Sequence, residues 1–246
     1  MQRRTKTWNE YVKVDSLSDD EIFQSTRFAR ESVHEIIELL RPDLERKTER
    51  SHAVPVETQV LSALQFFSSG SFQWMLGHSN GLSQASVSRT ITAVTKSLCK
   101  LAEQKISFPV AQEQITANKH AFSAIAGFPN VIGAIDCTYV PIKSPSNNEE
   151  AYVNRKGVHT INVQAVCDAN MRIIDLVAKW PGSTHDSFVW RNSGLHQLFE
   201  YGHVPDGWLL GMLNILFSGL SRFLRPGGPA VLGWVREGLP SPTVRV

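Results

Sequence analysis

Apolar positions along the first hundred residues recur at helical intervals. Ser18-Asp19-Asp20-Glu21 has the S-x-x-E form of a capping box, and Ile22, Phe23, Phe28, Val33, Ile36, Ile37, Leu39 and Leu40 follow with mostly helical spacing. Pro42 is expected to stop this run. Residues 41–52, with alternating charges, read as a solvated connector. A second helix is predicted over 56–68, its apolar side formed by Val56, Val60, Leu61, Leu64, Phe66 and Phe67, with Ser68-Ser69-Gly70-Ser71 ending it. After a short segment, 72–76, comes Gly77-His78-Ser79-Asn80-Gly81. Ser83 is then placed to cap a longer helix from Gln84 to about Leu101, with Val87, Ile91, Val94 and Leu98 along one side.

This order is that of a helix-turn-helix: a support helix, a Gly-containing turn, and a helix opening on small polar residues. Gln84, Ser86, Ser88 and Arg89 lie in its first turns, and Lys96 follows. Gln and Arg are suited to bidentate base contacts, Lys to phosphate. The same pattern also fits a helical bundle with a polar outer face.

The texture changes after Phe128-Pro129. Val131 to Ile135 is a short apolar run ending at Asp136, and Tyr139 to Ile142 reads as its continuation after a bend. TINVQAV (160–166) and IIDLVAKW (173–180) read as strands, with a hairpin turn at Asp168-Ala169-Asn170. A helix is expected over 187–199 and a short strand over 208–210, which makes the fold class α/β.

Composition is ordinary for a globular chain. The 246 residues are 42% hydrophobic and 20% charged, so a core can be buried and wholesale disorder is excluded. A formal charge of +2 is too small to argue for nucleic acid by itself. Cys99, Cys137 and Cys167 are widely spaced and give neither a disulfide framework nor a CxxC zinc pattern. The N-terminus lacks the apolar stretch of a signal peptide, and its Arg3-Arg4-Lys6 cluster reads as a nuclear address or a plain solvated tail. The longest apolar run, Trp208 to Leu220, is too short to span a bilayer as a helix, so no membrane role is expected.

Three groups of residues carry candidate chemistry. Asp136, at the end of an apolar run, is costly to bury unless paired, hydrogen-bonded or on a metal, and a turn aspartate is the alternative. Asp186 opens a predicted helix, where an acid is ordinary capping chemistry, and it can also supply a metal oxygen beside Asp136. Arg155 and Lys156, in a basic loop before the second strand, are suited to phosphate or to plain solvation.

GAIDCTYVPIKSP (133–145), YVNRKGVHTINVQAVCD (152–168) and AKWPGSTHDSFVWRNSGL (178–195) together resemble the DDE superfamily endonuclease domain of Harbinger transposases. The resemblance runs roughly from Phe23 to Gly211 and is strongest from Gly133 onward. It implies an RNase H-like fold and divalent-metal (Mg²⁺ or Mn²⁺) phosphodiester chemistry on DNA. Asp136 matches the first acidic ligand, in IDCT, and Asp186 the acidic position in GSTHD, 186 − 136 = 50 residues on. The helical half matches the helix-turn-helix region of the family. A nuclear location, with the cytoplasm as an alternative, and a separate Myb- or SANT-like DNA-binding partner are further implications.

The sequence departs from the pattern after Trp208-Leu209-Leu210-Gly211. The family continues with a Gly-Asp-Ser-Gly-Tyr block, whereas here Met212 stands where the aspartate is expected, and a thioether is no substitute for a hard carboxylate ligand. Beyond Asp206 the only acidic residue is Glu237, in REGLPSP, so the later glutamate has no match. The expected organisation is therefore a helical region with helix-turn-helix (1–127), a truncated RNase H-like domain (128–211), and an aberrant or diverged tail (212–246). The expected function is that of a nuclease impaired in cleavage. The alternative is a non-catalytic DNA- or partner-binding protein acting through its helix-turn-helix.

Overall fold

A computed structural model describes residues 10–46, 52–204, 206–211, 222–224 and 231–232. The chain divides into two compact units, Met1–Lys105 and Ile106–Val246. The Arg3-Arg4-Lys6 cluster and most of the 212–246 tail lie outside the described residues.

The first unit is helical. A 3-10 turn at Val14–Ser16 precedes α1, Asp19–Thr26. The capping box forms as expected: the Glu21 amide donates to Ser18 Oγ at 3.3 Å and the Ser18 amide to Glu21 Oε2 at 2.7 Å. The apolar run does not make one helix. Arg27 takes the left-handed conformation (φ 66°) and ends α1. Helix α2, Arg30–Leu44, then starts afresh and carries Pro42 inside its last turn instead of stopping before it. Proline there has no amide to donate to the Glu38 carbonyl, but the helix ends two residues on, at Leu44, so little of it lies beyond the disruption.

Helix α3, Val56–Ser69, is the centre of the unit, and its residues 56 and 58–64 are buried. Val60, Leu61 and Ala63 of this helix pack with Ile22, Val33, Ile37, Leu40 and Val94. It ends at Gly70 in the left-handed region (φ 62°). Helix α4, Gln73–Ser79, and helix α5, Gln84–Lys105, follow. Leu76, Leu82, Val87 and Ile91 form a second small cluster that joins them.

The second unit opens with α6, Gln112–Ala126, a helix the periodicity of the sequence did not reveal. Its apolar stripe is thin: Ile115 is the residue buried in the core, and Ile125 is exposed. Asn118 Nδ2 ties it to the Ile132 carbonyl at 3.2 Å. Helix α6 thus belongs with the sheet, whereas the sequence reading carried the helical region to residue 127.

The sheet comprises β1 (Val131–Pro141), β2 (Thr160–Cys167), β3 (Ile173–Pro181), β4 (Trp208–Gly211), β5 (Arg222–Leu224) and β6 (Val231–Leu232), in the order β3-β2-β1-β4-β5-β6. Strand β1 pairs antiparallel with β2 and parallel with β4. A parallel pair needs a crossover, and helices α8 (Asp186–Arg191) and α9 (Gly194–Glu200) lie in the β3-to-β4 segment that provides it. These two helices replace the single one expected over 187–199. The break falls where buried Ser193 caps α9 by accepting from the His196 amide at 3.0 Å. A short helix α7, Glu149–Tyr152, precedes β2. The mixed sheet with its helices agrees with the RNase H-like expectation.

Ile135, Val166 and Leu209 of the sheet pack with Ile115, Trp190, Leu195 and Phe199, so α6, α8 and α9 share one hydrophobic core with it. No helix among the described residues is long and apolar enough to cross a membrane.

Candidate functional site

Asp136 is not at a strand end. It is in the interior of β1, whose register with β2 is unbroken from Ala134 to Pro141, so the expected bend between Asp136 and Tyr139 is absent. Side chains alternate across a strand. Ile135, Cys137 and Tyr139 therefore face the covered side with Val166, Gln164 and Asn162, their register partners. Asp136, Thr138 and Val140 face the other side, where all three are exposed. The Asp136 carboxyl is pushed above its ordinary range, first by partial desolvation against the sheet and then by the Asp186 charge, although the Cys137 amide opposes this. Desolvation and solvent exposure are compatible here: the side chain reaches water over a surface that the sheet partly shields.

Asp186 is only 8% exposed and belongs to the covered side. Its Oδ1 accepts from Asn162 Nδ2 at 2.8 Å, and the same amide donates to the Thr184 carbonyl at 2.9 Å. The Cys137 thiol is pushed far up by burial, by the Asp186 and Asp136 charges, and by its hydrogen bond to Asp186. The two candidate carboxylates are thus close enough to feel each other, but they project from opposite sides of the pleat. His185 caps α8, its Nδ1 accepting from the Ser187 amide at 3.3 Å.

Hard divalent ions take several oxygen ligands. The described residues hold no group of three His, Cys, Asp or Glu side chains that could bind one. One oxygen of Asp186 accepts from Asn162. The described residues therefore do not build a two-ion centre. Gly211, the last described residue of β4, pairs with Ile135, the residue before Asp136. The sequence then continues with Met212.

Arg155 and Lys156 are exposed at the tip of a tight hairpin. Asn154 Oδ1 builds it by accepting from the Lys156 and Val158 amides at 2.8 and 3.2 Å. Arg155 lines a pocket of about 160 Å³ with Tyr139, Asp186 and loop residues 182–185. The Tyr139 phenol is raised by burial and by Asp186, with Arg155 opposing. Lys156 is not part of this pocket. Tyr139 and Asn162 were not singled out from sequence. The available signal was the row Thr160, Asn162, Gln164, with polar residues two apart on a strand and therefore on one face.

In the first unit, Gln84, Ser88, Arg89 and Lys96 are exposed on α5, opposite buried Val87, Thr90, Ile91 and Val94. Ser86 is half-buried and engaged: its Oγ lies 2.9 Å from Ser83 Oγ, and its amide donates to that hydroxyl at 3.1 Å. Ser86 thus belongs to the cap of α5 and not to its open face. Residues 80–83 join α4 to α5, with Gly81 at φ 70°. A Cβ on Gly77 would come within 2.7 Å of the Leu82 carbonyl oxygen, so the fold of the connecting turn back onto α4 requires glycine there. Asn80, 2% exposed, anchors the turn by donating to Ser62 Oγ at 3.1 Å and Gln65 Oε1 at 2.8 Å.

Comparison with known proteins agrees with this architecture. Residues 135–212 match the DDE superfamily endonuclease family. The chain is 43% identical over 199 residues to "Putative nuclease HARBI1" of Rattus norvegicus, covering 81% of this chain and 57% of the relative. The human protein of the same name is likewise 43% identical over 199 residues, with 81% and 57% covered. "Protein ALP1-like" of Arabidopsis thaliana is 30% identical over 200 residues, covering 77% of this chain and 48% of the relative. No solved structure gives a significant match. The second unit carries a DDE superfamily endonuclease domain. The chain belongs to that family and is homologous to the HARBI1 proteins. It spans little more than half the length of these relatives, 57%.

Proposed function

We propose that this chain is a DNA-directed member of the family whose nuclease core is impaired in cleavage, with Asp136 as the carboxylate that faces a divalent metal (Mg²⁺ or Mn²⁺) in an intact centre. The observation that carries this reading is the placement of Asp136 on the central strand, one residue beyond the Ile135–Gly211 pair, with methionine following Gly211. A bound divalent ion supplies Lewis acidity toward the phosphodiester and its attacking water. The described residues do not build a centre for it. Asp186, anchored by Asn162, is read as a positioning residue.

The direct test incubates the purified chain with duplex DNA and Mg²⁺ or Mn²⁺, beside Asp136→Ala. Cleavage no greater than that of Asp136→Ala is expected. Met212→Asp should raise Mn²⁺ affinity at least tenfold, about 1.4 kcal/mol, and Asp136→Ala should cancel that gain. Robust cleavage by the unaltered chain that Asp136→Ala abolishes would overturn the impairment.

A second reading rests on the first unit. Helices α4 and α5 are proposed to form a helix-turn-helix that binds DNA through Gln84, Ser88, Arg89 and Lys96. Its support is the close Gly77–Leu82 approach, the left-handed Gly81, and the exposed polar face of α5 over buried Val87. If Arg89 reads a base, Arg89→Ala in the full chain should weaken duplex binding by roughly 1–3 kcal/mol. An unchanged affinity would remove Arg89 from the interface. A nuclear location and a Myb- or SANT-like DNA-binding partner belong to the same proposal.

A further inference from the structure

Helix α4 turns one side to the core of its unit and the other to solvent. Leu76 is buried with Leu82, Val87 and Ile91. Trp74, Met75, His78 and Ser79 are exposed, and the helical period gathers them into an arc of about 140° on the outer side. Phe72, at the N-cap, is 83% exposed, Trp74 62% and Met75 51%. Large apolar side chains exposed together mark interaction sites. The His78 ring stacks on Trp74 with centroids 6.2 Å and planes 12° apart, which restricts the indole before any partner arrives.

Charge decides what such a face can meet. From Thr58 to Ser88 the sequence has no Asp, Glu, Lys or Arg, in a chain that is 20% charged. Phosphates call for Lys or Arg, and aromatic platforms for single strands stand in positively charged grooves, so nucleic acid is a poor occupant. A charged protein surface would be desolvated here without gaining a partner. Aromatic and Met side chains without Lys, Glu or Asp are the composition of the buried centre of a protein–protein interface. In a two-fold pair each patch meets its own image, so a charged patch repels itself and a neutral one does not.

We propose that the outer face of α4, with Phe72, Trp74 and Met75 at its centre, pairs with the same face of a second copy of this chain. At their exposures, Phe72 and Trp74 together offer on the order of 300 Å² of side-chain surface. A standard interface takes roughly 800 Å² from each partner. The two aromatics thus form the anchor of an interface, and the neighbouring polar residues of α4 supply its rim. An anchor of that size makes a reversible pair, not an obligate dimer. The pairing does not rest on DNA binding. Should α5 read DNA as proposed above, the pair presents two such helices, the arrangement that a two-fold DNA site requires.

The test is sedimentation equilibrium of the full chain across micromolar concentrations, without DNA. A monomer–dimer equilibrium is expected. Trp74→Glu should weaken it by about tenfold or more, as loss of a central aromatic anchor does, and Phe72→Ser should weaken it less. Ile125→Ser removes an apolar side chain that is 67% exposed on α6 and should change nothing. Raising the salt concentration should leave the dimer intact, because no ion pair holds it. All three side chains are exposed, and circular dichroism confirms that each variant keeps its helices. If Trp74→Glu disturbs them, Phe72→Ser carries the test. A chain that stays monomeric throughout overturns the proposal and leaves the face to a different protein. A dimer untouched by Trp74→Glu and Phe72→Ser, one that Ile125→Ser weakens equally, or one that salt dissolves overturns it as well.

Discussion

The helical unit keeps its candidate DNA residues outside a closed apolar core, while the sheet unit keeps a row of polar residues inside. On α5, Gln84, Ser88, Arg89 and Lys96 stand over buried Val87, Ile91 and Val94. On β2 the arrangement is inverted: Thr160, Asn162 and Gln164 are buried and Ile161, Val163 and Ala165 are half-exposed. A surface of the first kind is complete within one helix and its support. A site of the second kind depends on groups delivered by several strands and loops, and each missing group leaves a polar atom unsatisfied. Recognition surfaces therefore tolerate the divergence of neighbouring segments better than metal centres do.

Glycine contacts test this contrast most severely. A Cβ on Gly182 would lie 2.1 Å from Thr160 Oγ1, 2.6 Å from the Tyr152 carbonyl oxygen and 2.8 Å from the Thr160 carbonyl oxygen. On Gly77 it would meet one close atom, the Leu82 carbonyl oxygen at 2.7 Å. Overpacking typically costs about 1–3 kcal/mol and occasionally more. Gly182→Ala should cost about 3 kcal/mol, and Gly77→Ala about 1–2 kcal/mol, on that scale. Urea denaturation of the two variants would check the order. A smaller loss for Gly182→Ala would mean that the loop rests loosely on β2 and that the buried polar row is not held shut by it.

Much of this was legible in the residues. The capping box at Ser18, the glycine turn before α5, and the strands of β1 to β4 all follow from local chemistry, and local chemistry is what a sequence displays. The division between α1 and α2 was hidden because Arg27 is an unusual residue for a left-handed stop, where glycine would have announced it. Helix α6 was hidden because few of its residues reach the core. The identities of Asp136 and Asp186 were readable, but their relation was not. That one projects from the open side of β1 while the other is tied to Asn162 on the covered side depends on the β1–β2 register and on where α8 begins. Both are set by contacts between segments far apart in sequence.

Asp136 offers a test of that relation through pH. Its carboxyl is held above the ordinary range, by desolvation first and by Asp186 second. The folded state then binds a proton that the unfolded chain has already released. Stability is therefore greatest below the ordinary carboxylate pKa, falls as pH rises through that value toward the folded one, and levels off above it. Asp136→Asn removes this loss. Thermal melts should show the variant more stable than the parent at pH 7, with the difference shrinking toward acid. Asp186→Asn should lower the Asp136 pKa, a change that NMR titration of the carboxyl carbon would read. If Asp136→Asn proves destabilising at pH 7, the carboxylate has a favourable partner among the groups near β1, and the open side of the sheet is less bare than its exposure indicates.

The smallest expected effect belongs to Lys96, and it separates the two units most cleanly. This residue is exposed on α5, some two turns beyond Arg89. A lysine that neutralises one phosphate contributes about 0.9 to the slope of log affinity against log salt and little to sequence preference. Lys96→Ala should therefore lower that slope by about one while leaving the ranking of DNA sequences unchanged. Arg155→Ala should lower the slope less, because Arg155 shares its pocket with the Asp186 carboxylate. Binding isotherms at a series of salt concentrations read both variants at once. A slope lowered by Arg155→Ala and not by Lys96→Ala would move the phosphate contacts from α5 to the hairpin. The polar face of α5 would then be the solvated outer face of a helical bundle.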